Sequence, residues 1–499
     1  MKNKQIRICV FVAFGVKFTK TQEVSCHLIE FSLKSDRIRV VCQFEKNEEG
    51  EAKMSPVLIA VLGLLLLLVF LFAGMHIGIA MALVGFLGIA YMRAQSGIAA
   101  GKAFSMALGA FSNGPFQSTN KDSLVVIPMF TLMGVVCAQA GISQDLYAAC
   151  YKWVSRVRGG LAIATEVACA FFGAICGSAT ATTASMGKIC LPEMDKYGYK
   201  RTLACGAISA GGTLGILIPP STGFMLYGIN AGIGVGKMFI AGIVPGIVLT
   251  VCYATTAIII CLRDPEAGPK GEKFSLSEKL RALGGVLPVL ILFILVLGGI
   301  LFGWCSATEG GAVGAFGAFI FMIIRRQFTF KNVLAALTET AETTAMIFLI
   351  MIGSDILSQF FALTNISSAL ASVATTGGVN PWVVLLLCLV IYGILGCFID
   401  SLPLICLLTP IFLPVIRQLG FNDMWFGVLM VMLMELGLMT PPVGMCCYVM
   451  AGITKGTTSL QEIFKGTAPF LIGIAVAIVI VMLFPSLATW LPGLMHGNG

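Results

Sequence analysis

Long uncharged stretches recur along this chain, and they limit its possible folds more than any other feature. The plainest of them are Val57–Leu71, Phe239–Leu262, Val286–Trp304, Val383–Ile399 and Phe470–Leu491. A helix needs about 20 mostly apolar residues to cross a bilayer, so the chain has room for about ten passes. Charged residues make up 11% of it, whereas soluble domains carry roughly a quarter. The sequence therefore predicts an all-α polytopic membrane protein and excludes a soluble protein or a signal peptide.

The basic residues fall in four clusters between the apolar stretches. They are Lys152/Arg156/Arg158, Lys196/Lys200/Arg201, Arg263–Arg281 and Arg325/Arg326/Lys331. Loops rich in Lys and Arg stay on the cytoplasmic side, so the net charge of +8 indicates cytoplasmic loops rather than a nucleic-acid partner. The segment between the third and fourth clusters can cross the bilayer twice by turning near Ser306–Glu309. That turn would keep both clusters inside.

The 17 cysteines and three histidines do not indicate a metal centre or an organic cofactor. The cysteines lie within apolar runs, as Cys169 and Cys388 do, and no Cys-x-x-Cys pair or Cys/His ligand spacing is present. Small core hydrophobes are the expected interpretation.

Residues 1–53 differ from the rest because they are charge-rich and contain no stretch that could span a membrane. Phe11–Phe18 and Ile29–Val41 are predicted strands. Met54 is followed at once by a leucine-rich run, so residues 1–53 represent either an over-extended start site or a small additional cytoplasmic segment. The membrane domain is expected over 54–499, with a first repeat over about 120–262 and a second over about 335–495.

An internal repeat joins the two halves of the membrane domain. Ile189–Pro192 (ICLP) recurs as Ile411–Pro414 (IFLP), and Leu214–Pro220 (LGILIPP) recurs as Leu436–Pro442 (LGLMTPP). The two motifs have the same separation in both halves (219 − 192 = 441 − 414 = 27). Each half therefore carries one unit of the same design, and we expect the two units to be inverted relative to each other.

Two re-entrant helical hairpins are predicted at corresponding places in these units. Gly173–Pro192 and Gly396–Pro414 are apolar stretches interrupted by small polar residues at Gly177–Thr183 and Asp400–Pro403. Too few residues remain on either side of each interruption to span the bilayer twice. Each stretch should therefore turn back at membrane depth, where protein or a water-filled cavity must cover the non-helical backbone.

The repeated Pro-Pro pairs predict two broken helices that bind Na⁺. Proline removes a backbone donor and clashes with the preceding turn, so the freed carbonyl groups become available to a hard cation. Paired discontinuous helices in two halves of a chain indicate a transporter binding site; the alternative is that each pair merely kinks its helix. The predicted ligands are the Ser178 hydroxyl with the carbonyls of Gly215, Ile218 and Pro220, and in the second half Gly437, Thr440 and Pro442, faced by Asp400 or Ser401.

The hairpin tips are also the predicted substrate site. Free N–H groups at helix N-termini favour anions, so a carboxylate-bearing substrate is expected between Thr180, Thr182 and Thr183 of the first tip and Ser401 of the second. Asp400 could instead accept hydrogen bonds from substrate hydroxyls or amines.

Other ionisable residues also lie in apolar segments. Placing such a residue inside a membrane costs free energy, so these residues are often functional. The sequence leaves two interpretations of Glu435, which either lines the same cavity or pairs structurally. The remaining expectations are a helix-end charge for Lys188, a position near the membrane surface for Glu166, an interfacial stretch for Glu339/Glu342, and no assigned role for Asp355.

Seven motifs in order along the chain carry a resemblance to a known family. They are Arg158–Ile163 (RGGLAI), Gly177–Ala181 (GSATA), Leu191–Met194 (LPEM), Gly211–Ser221 (GGTLGILIPPS), Phe398–Asp400 (FID), Leu408–Ile411 (LTPI) and Thr440–Gly444 (TPPVG). With these motifs, the chain from Met54 to about Met495 resembles the large membrane subunit of TRAP (tripartite ATP-independent periplasmic) transporters.

The resemblance implies an elevator-type carrier, in which a scaffold holds a moving domain that contains both hairpins and both broken helices. It implies Na⁺-coupled uptake of a small organic acid across the bacterial inner membrane, with delivery by a periplasmic binding protein. A separate small membrane subunit of about four helices is expected, since residues 1–53 contain no spanning run. The resemblance assigns ion binding to Ser178, Gly215, Ile218 and Pro220, with their second-half counterparts, and substrate binding to Thr180 and Asp400.

Several positions depart from the usual family pattern, and other functions stay open. Thr182, Thr183 and Lys188 stand where the family usually has small or apolar residues, and Glu435 stands where it often has an uncharged one. A stand-alone ion-coupled carboxylate carrier without a binding protein is the nearest alternative, and an intramembrane enzyme or a passive channel is a more distant one. The pattern does not separate dicarboxylates, sugar acids and other carboxylates.

Overall fold

The computed structural model describes residues 28–33, 36–41, 45–46, 52–376 and 380–495. Two short antiparallel pairs of strands precede the membrane domain, so the Ile29–Val41 segment forms a pair of strands. Phe11–Phe18 lies outside the described residues. The strands are β1 (Leu28–Leu33) with β2 (Asp36–Val41), and β3 (Glu45–Lys46) with β4 (Ala52–Lys53).

The rest of the described chain is helical. The helices of the first half are α1 (Pro56–Phe72), α2 (Ile77–Gln95), α3 (Ala100–Thr119), α4 (Val126–Gln139), α5 (Ile142–Val154), α6 (Gly160–Cys176), α7 (Ala179–Lys196), α8 (Arg201–Leu217), α9 (Thr222–Ala231) and α10 (Val235–Arg263), with a 3₁₀ turn at Asp122–Val125. Those of the second half are α11 (Leu276–Leu301), α12 (Ala307–Ile324), α13 (Phe330–Thr364), α14 (Ile366–Thr376), α15 (Pro381–Gly396), α16 (Ser401–Gln418), α17 (Asp423–Met439), α18 (Met445–Thr454), α19 (Leu460–Leu483) and α20 (Ser486–Gly493).

Length and composition qualify several of these helices as membrane spans. In the described part of the chain, 8 helices are long and apolar enough to cross a membrane. The number is 9 if the two parts of α11, which are bent by 56° relative to each other, form one span.

Three helices begin with a capping box, in which a serine and the glutamate three residues later satisfy each other's free backbone donors. They are Ser275/Glu278, Ser306/Glu309 and Ser459/Glu462. The second capping box lies at the turn that the sequence predicted near Ser306–Glu309.

Both predicted hairpins are present, with longer arms than the sequence suggested. In the first, α6 ends at Gly177, whose φ of +65° reverses the chain, and α7 begins directly after Ser178. In the second, α15 and α16 meet across Cys397–Asp400. The first arms, α6 and α15, begin well before Gly173 and Gly396, and the second arms, α7 and α16, continue through their internal prolines.

The repeat extends from the short motifs to whole helices. α7 and α16 both contain 18 residues, α8 and α17 both contain 17, and α9 and α18 both contain 10. The starts of α16 and α17 follow those of α7 and α8 by the same interval (401 − 179 = 423 − 201 = 222). The Pro219–Pro220 and Pro441–Pro442 bonds that break the two long helices are both cis.

The two units are inverted, as expected. The first broken helix begins at Arg201, whose side chain donates to Thr457 Oγ1, just past the end of the second broken helix. At its other end, the Ala231 carbonyl accepts from Arg417 (2.8 Å), which lies just before the second broken helix begins. Each broken helix thus starts where the other ends, and the two run antiparallel.

Three of the four basic clusters meet on one surface of the molecule. The Gly159 N–H donates to the Gly268 carbonyl (3.1 Å) and the Lys200 N–H donates to the Ala267 carbonyl (3.0 Å). The Lys200 ammonium lies 2.6 Å from the Asp264 carboxylate and lowers the pKa of that carboxyl group. By the charge rule for short loops, this surface is the cytoplasmic one.

Helix α13 lies between α2 and the second hairpin. A Cβ on Gly78 would lie 2.7 Å from the Leu349 carbonyl oxygen, so small residues let α2 and α13 approach backbone to backbone. On its other side, Ser354 Oγ donates to the Cys406 carbonyl of α16 (2.7 Å). α13 is therefore placed to form one wall of whatever site the hairpin tips create.

Candidate functional site

The second arm of each hairpin begins with a polar N-cap, but the two caps differ in charge. Ser178 Oγ accepts from the Ala181 N–H (3.5 Å) and lies 3.3 Å from Thr180 Oγ1. Asp400 Oδ1 accepts from the Ser401 N–H (2.8 Å). Serine and aspartate are both good N-caps, so the first tip offers neutral hydroxyl groups whereas the second carries a carboxylate.

The first tip is held against the break between α8 and α9. Thr222 donates to the Gly177 carbonyl from both its N–H (3.3 Å) and its hydroxyl (2.8 Å). A Cβ on Gly215 would lie 2.7 Å from the Ser178 carbonyl oxygen, and one on Gly177 would lie 3.0 Å from the Pro220 carbonyl oxygen. The residues Ser178, Gly215 and Pro220, which carry three of the predicted Na⁺ ligands, therefore lie close to one another around the first tip.

The breaks free backbone carbonyl groups for a physical reason that the sequence contains. A helical carbonyl accepts from the N–H four residues later, and proline has no N–H. The carbonyl groups of Gly215 and Ile216 therefore lack their usual donors, as do those of Gly437 and Leu438. Ile218 has an extended backbone (φ −80°, ψ 121°), so its carbonyl also lies outside the helix.

The second half repeats this arrangement with an equally close glycine contact. A Cβ on Gly437 would collide with the Gly396 carbonyl group, so the second hairpin also meets its broken helix backbone to backbone. Thr440 is extended (φ −96°, ψ 136°), and its N–H donates to the Gly437 carbonyl (3.1 Å). Pro442 is exposed, whereas Pro220 is buried. The Gly437 carbonyl is partly engaged, and the second predicted ion site is more open than the first.

Both hairpin tips and both breaks line one cavity of about 430 Å³. The first tip contributes Ser178 and Thr180, and the second contributes Asp400 and Ser401. Ile216 and Leu438, which are equivalent in the repeat (438 − 216 = 222), line it from the two breaks. The polar residues that the sequence predicted at the two tips thus share a single space.

The third wall of the cavity was not predicted. Glu339, Thr343 and Met346 face the cavity from one side of α13, at the spacing that places residues on one helical face. Glu339 also borders an open groove along α13 that reaches Lys331. Glu339 therefore lies where the cavity and this groove meet.

The structure places Thr182 and Thr183 away from the cavity lining, which differs from the predicted substrate site. Both are fully buried on the side of α7 that packs against α8. Thr183 Oγ1 donates to the Ala179 carbonyl (2.9 Å). The Thr182 hydroxyl has no hydrogen-bond partner among the described residues, and a Cβ on Gly215 would lie 2.6 Å from it. Thr182 is thus positioned beside the first predicted ion site.

The other ionisable residues of the apolar segments have different surroundings from one another. Glu166 is fully buried in α6, and neither carboxylate oxygen has a partner among the described residues; its position near the membrane surface stays a prediction. Glu435 is also fully buried and accepts from Thr213 Oγ1 (3.4 Å) without lining the cavity. Asp355 lies 3.9 Å from Lys121. Lys188 is exposed.

Thr222→Val should measure how firmly the first tip is fastened. The substitution removes the hydroxyl bond to Gly177 and keeps the N–H bond, so we expect the free energy of unfolding to fall by about 1 kcal/mol. Thermal unfolding of the purified chain measures this. The matched control is Thr250→Val, because Thr250 Oγ1 donates to Gly246 within its own helix (2.8 Å). Equal losses in the two variants would contradict a specific role for Thr222.

Comparison with known proteins agrees with this architecture. The family model described as the DctM component of the tripartite ATP-independent periplasmic transporter matches residues 64–487. The chain belongs to this TRAP transporter family. It is a multi-pass membrane protein, and the relatives that follow are permeases.

Two TRAP relatives show how the family resembles this chain. The C4-dicarboxylate TRAP transporter large permease protein DctM of Pseudomonas aeruginosa is 33% identical over 378 residues, which cover 76% of this chain and 88% of the relative. The sialic acid TRAP transporter large permease protein SiaM of Vibrio cholerae is 28% identical over 431 residues, which cover 86% of this chain and 97% of the relative. Their names give two different substrates, so membership in the TRAP family does not fix the substrate.

A solved structure supports the fold of this TRAP permease. The crystal structure of the YdaH transporter of Alcanivorax borkumensis matches with a TM-score of 0.52 at 15% identity, covering 78% of this chain and 88% of that chain. At this level of identity the likeness concerns the fold alone.

Proposed function

We propose that this chain is the translocating subunit of a TRAP system that takes up a small organic acid across the bacterial inner membrane, driven by Na⁺. One observation supports this most strongly: both hairpin tips and both helix breaks line a single cavity. The carbonyl groups of Gly215 and Ile216 lose their usual helical donors at the first break and suit a hard cation, and the N-terminus of α7 suits a carboxylate group.

The proposed ligands of the first Na⁺ are the Ser178 hydroxyl and the carbonyls of Gly215, Ile218 and Pro220, joined by the Thr182 hydroxyl. The second Na⁺ would use Gly437, Thr440, Pro442 and Ser401. Thr180, Asp400 and Ser401 would contact the substrate.

Transport would follow an elevator mechanism. The two hairpins and two broken helices would form the moving body, because glycine contacts and tip hydrogen bonds hold them together. The scaffold would include α2 and α13, which approach each other through Gly78. A small membrane subunit of about four helices and a periplasmic binding protein would complete the system.

Uptake into proteoliposomes that contain the chain and its small partner tests this proposal. Candidate acids are assayed with and without an inward Na⁺ gradient, and with and without the binding protein. Uptake that needs both supports the proposal. Uptake that needs only Na⁺ would indicate a stand-alone carrier, and uptake independent of the gradient would indicate a channel.

Ser178→Ala tests the first ion site in the same assay. The substitution removes a proposed Na⁺ ligand together with the N-cap of α7, each contributing about 1 kcal/mol. We therefore expect the Na⁺ concentration for half-maximal uptake to rise by about tenfold. The control is Ser112→Ala, because the Ser112 hydroxyl donates to Gly109 within α3 on the exposed surface. An unchanged Na⁺ dependence in Ser178→Ala would remove Ser178 from the site.

A further inference from the structure

We propose that the cavity takes a substrate with one carboxylate group and one cationic group, and that Glu339 sets this preference. This inference rests on the proposed function and names the substrate class of the same site. It begins from the charges of the lining: Asp400 and Glu339 are acidic, and none of the described residues that line the cavity is Lys, Arg or His.

The two ends of the cavity differ in what they can bind. At the first tip, Ser178 caps α7 with a neutral hydroxyl, so the positive end of that helix keeps its attraction for an anion. Thr180 lies beside it, with its hydroxyl 3.3 Å from Ser178 Oγ. A carboxylate group fits this end. At the second tip, the helix N-terminus already faces the Asp400 carboxylate, so a second anion is disfavoured there.

Glu339 adds a second acidic group from outside the hairpins. It reaches the cavity from α13, together with Thr343 and Met346. An ammonium or similar group on the substrate would therefore meet Asp400 from one wall and Glu339 from another. A second carboxylate group on the substrate would instead meet two like charges.

The charge balance leads to the same substrate class. With the two proposed Na⁺ ions bound, their charges offset those of Asp400 and Glu339, so the site is neutral before the substrate enters. A zwitterion keeps it neutral, whereas a dicarboxylate brings an uncompensated charge of −2, which is costly in a membrane protein.

Lys188 does not alter this balance. It follows Ala181 by seven residues on one face of α7, which places it about 10 Å farther along the helix axis. Lys188 is exposed and does not line the cavity, so it is not a direct partner for a carboxylate group bound there.

Three probes of equal chain length test the inference: succinate with two carboxylates, 4-aminobutyrate with one carboxylate and one ammonium, and butyrate with one carboxylate. Thermal unfolding of the full chain with its small partner, in detergent and NaCl, gives their affinities. We compare the wild type with Glu339→Gln and with the matched control Glu342→Gln. Glu342 lies on the same helix and borders the outer groove without lining the cavity.

We expect 4-aminobutyrate to bind the wild type at least about tenfold more tightly than succinate or butyrate. Glu339→Gln should reduce its preference over succinate by about tenfold, and Glu342→Gln should leave the preference unchanged. The inference is overturned if succinate binds as tightly as 4-aminobutyrate, if 4-aminobutyrate does not bind, or if both variants behave alike.

Replacing NaCl with KCl separates this inference from the proposed function. If succinate binds more tightly than 4-aminobutyrate and needs Na⁺, the Na⁺-coupled carrier stands and the zwitterion inference fails. If 4-aminobutyrate binds equally well in KCl, Na⁺ coupling fails while the charge preference stands.

Discussion

Asp400→Asn should reduce uptake by about 100-fold while leaving the chain folded. Asparagine caps a helix as well as aspartate does, so the start of α16 should be preserved. The substitution removes the negative charge that we expect the substrate to contact, and bonds to charged groups contribute about 1.5–3 kcal/mol each. Initial uptake rates measure the loss, and thermal unfolding confirms the fold.

The matched control for this prediction is Asp423→Asn. Asp423 pairs with Arg417 (2.7 Å) at the start of α17, and it does not line the cavity. Its replacement should leave uptake within about twofold of the wild type, because exposed ion pairs contribute little. Uptake at the wild-type rate by Asp400→Asn would contradict the assignment of Asp400 to substrate binding.

Gly215→Ala should impair both stability and transport. A Cβ there would lie 2.6 Å from Thr182 Oγ1 and 2.7 Å from the Ser178 carbonyl oxygen, so the first hairpin tip must move. Overpacking of this kind costs about 1–3 kcal/mol. Because the displaced groups include proposed Na⁺ ligands, we expect uptake at a fixed Na⁺ concentration to fall by about tenfold or more.

The control is Gly109→Ala in α3, where an added Cβ meets no atom within 4 Å. Alanine is the better helix former, so this variant should be as stable as the wild type or slightly more stable. If Gly215→Ala matched it in the temperature of unfolding and in uptake, the close approach of the first tip to α8 would be unimportant for transport.

The hairpins and breaks could be predicted because their causes are local. Consecutive prolines remove N–H groups wherever the helix lies, and polar residues such as Ser178 and Asp400 cap helices from within the chain. The interval of 27 residues is the same in both halves because the helices that contain the motifs have equal lengths.

The faces of α7 were predictable in principle but were assigned too broadly. Thr180, Ala181 and Ala184 line the cavity, whereas Thr182 and Thr183 point toward α8. Each residue advances a helix by 100°, so Thr182 lies about 200° from Thr180 around the axis, and this periodicity would have separated Thr182 from the cavity lining. Thr183 lies only about 60° from Thr180, and its exclusion depends on how closely α7 packs against Gly212 of α8.

The role of α13 could not be predicted from local pattern. Glu339 is far in sequence from both hairpins, and its amphipathic surroundings suggested a position at the membrane interface. Its place at the cavity depends on how α13 packs between α2 and α16.

The fastening of the two inverted units to each other has a consequence for energy conversion. Arg201 and Thr457 join them near one surface of the molecule, and Arg417 and the Ala231 carbonyl join them at the opposite ends of the broken helices. On the proposed mechanism, contacts at both ends would favour movement of the two units as one body. Slippage, meaning ion movement without cargo, would then involve breaking a contact between the units.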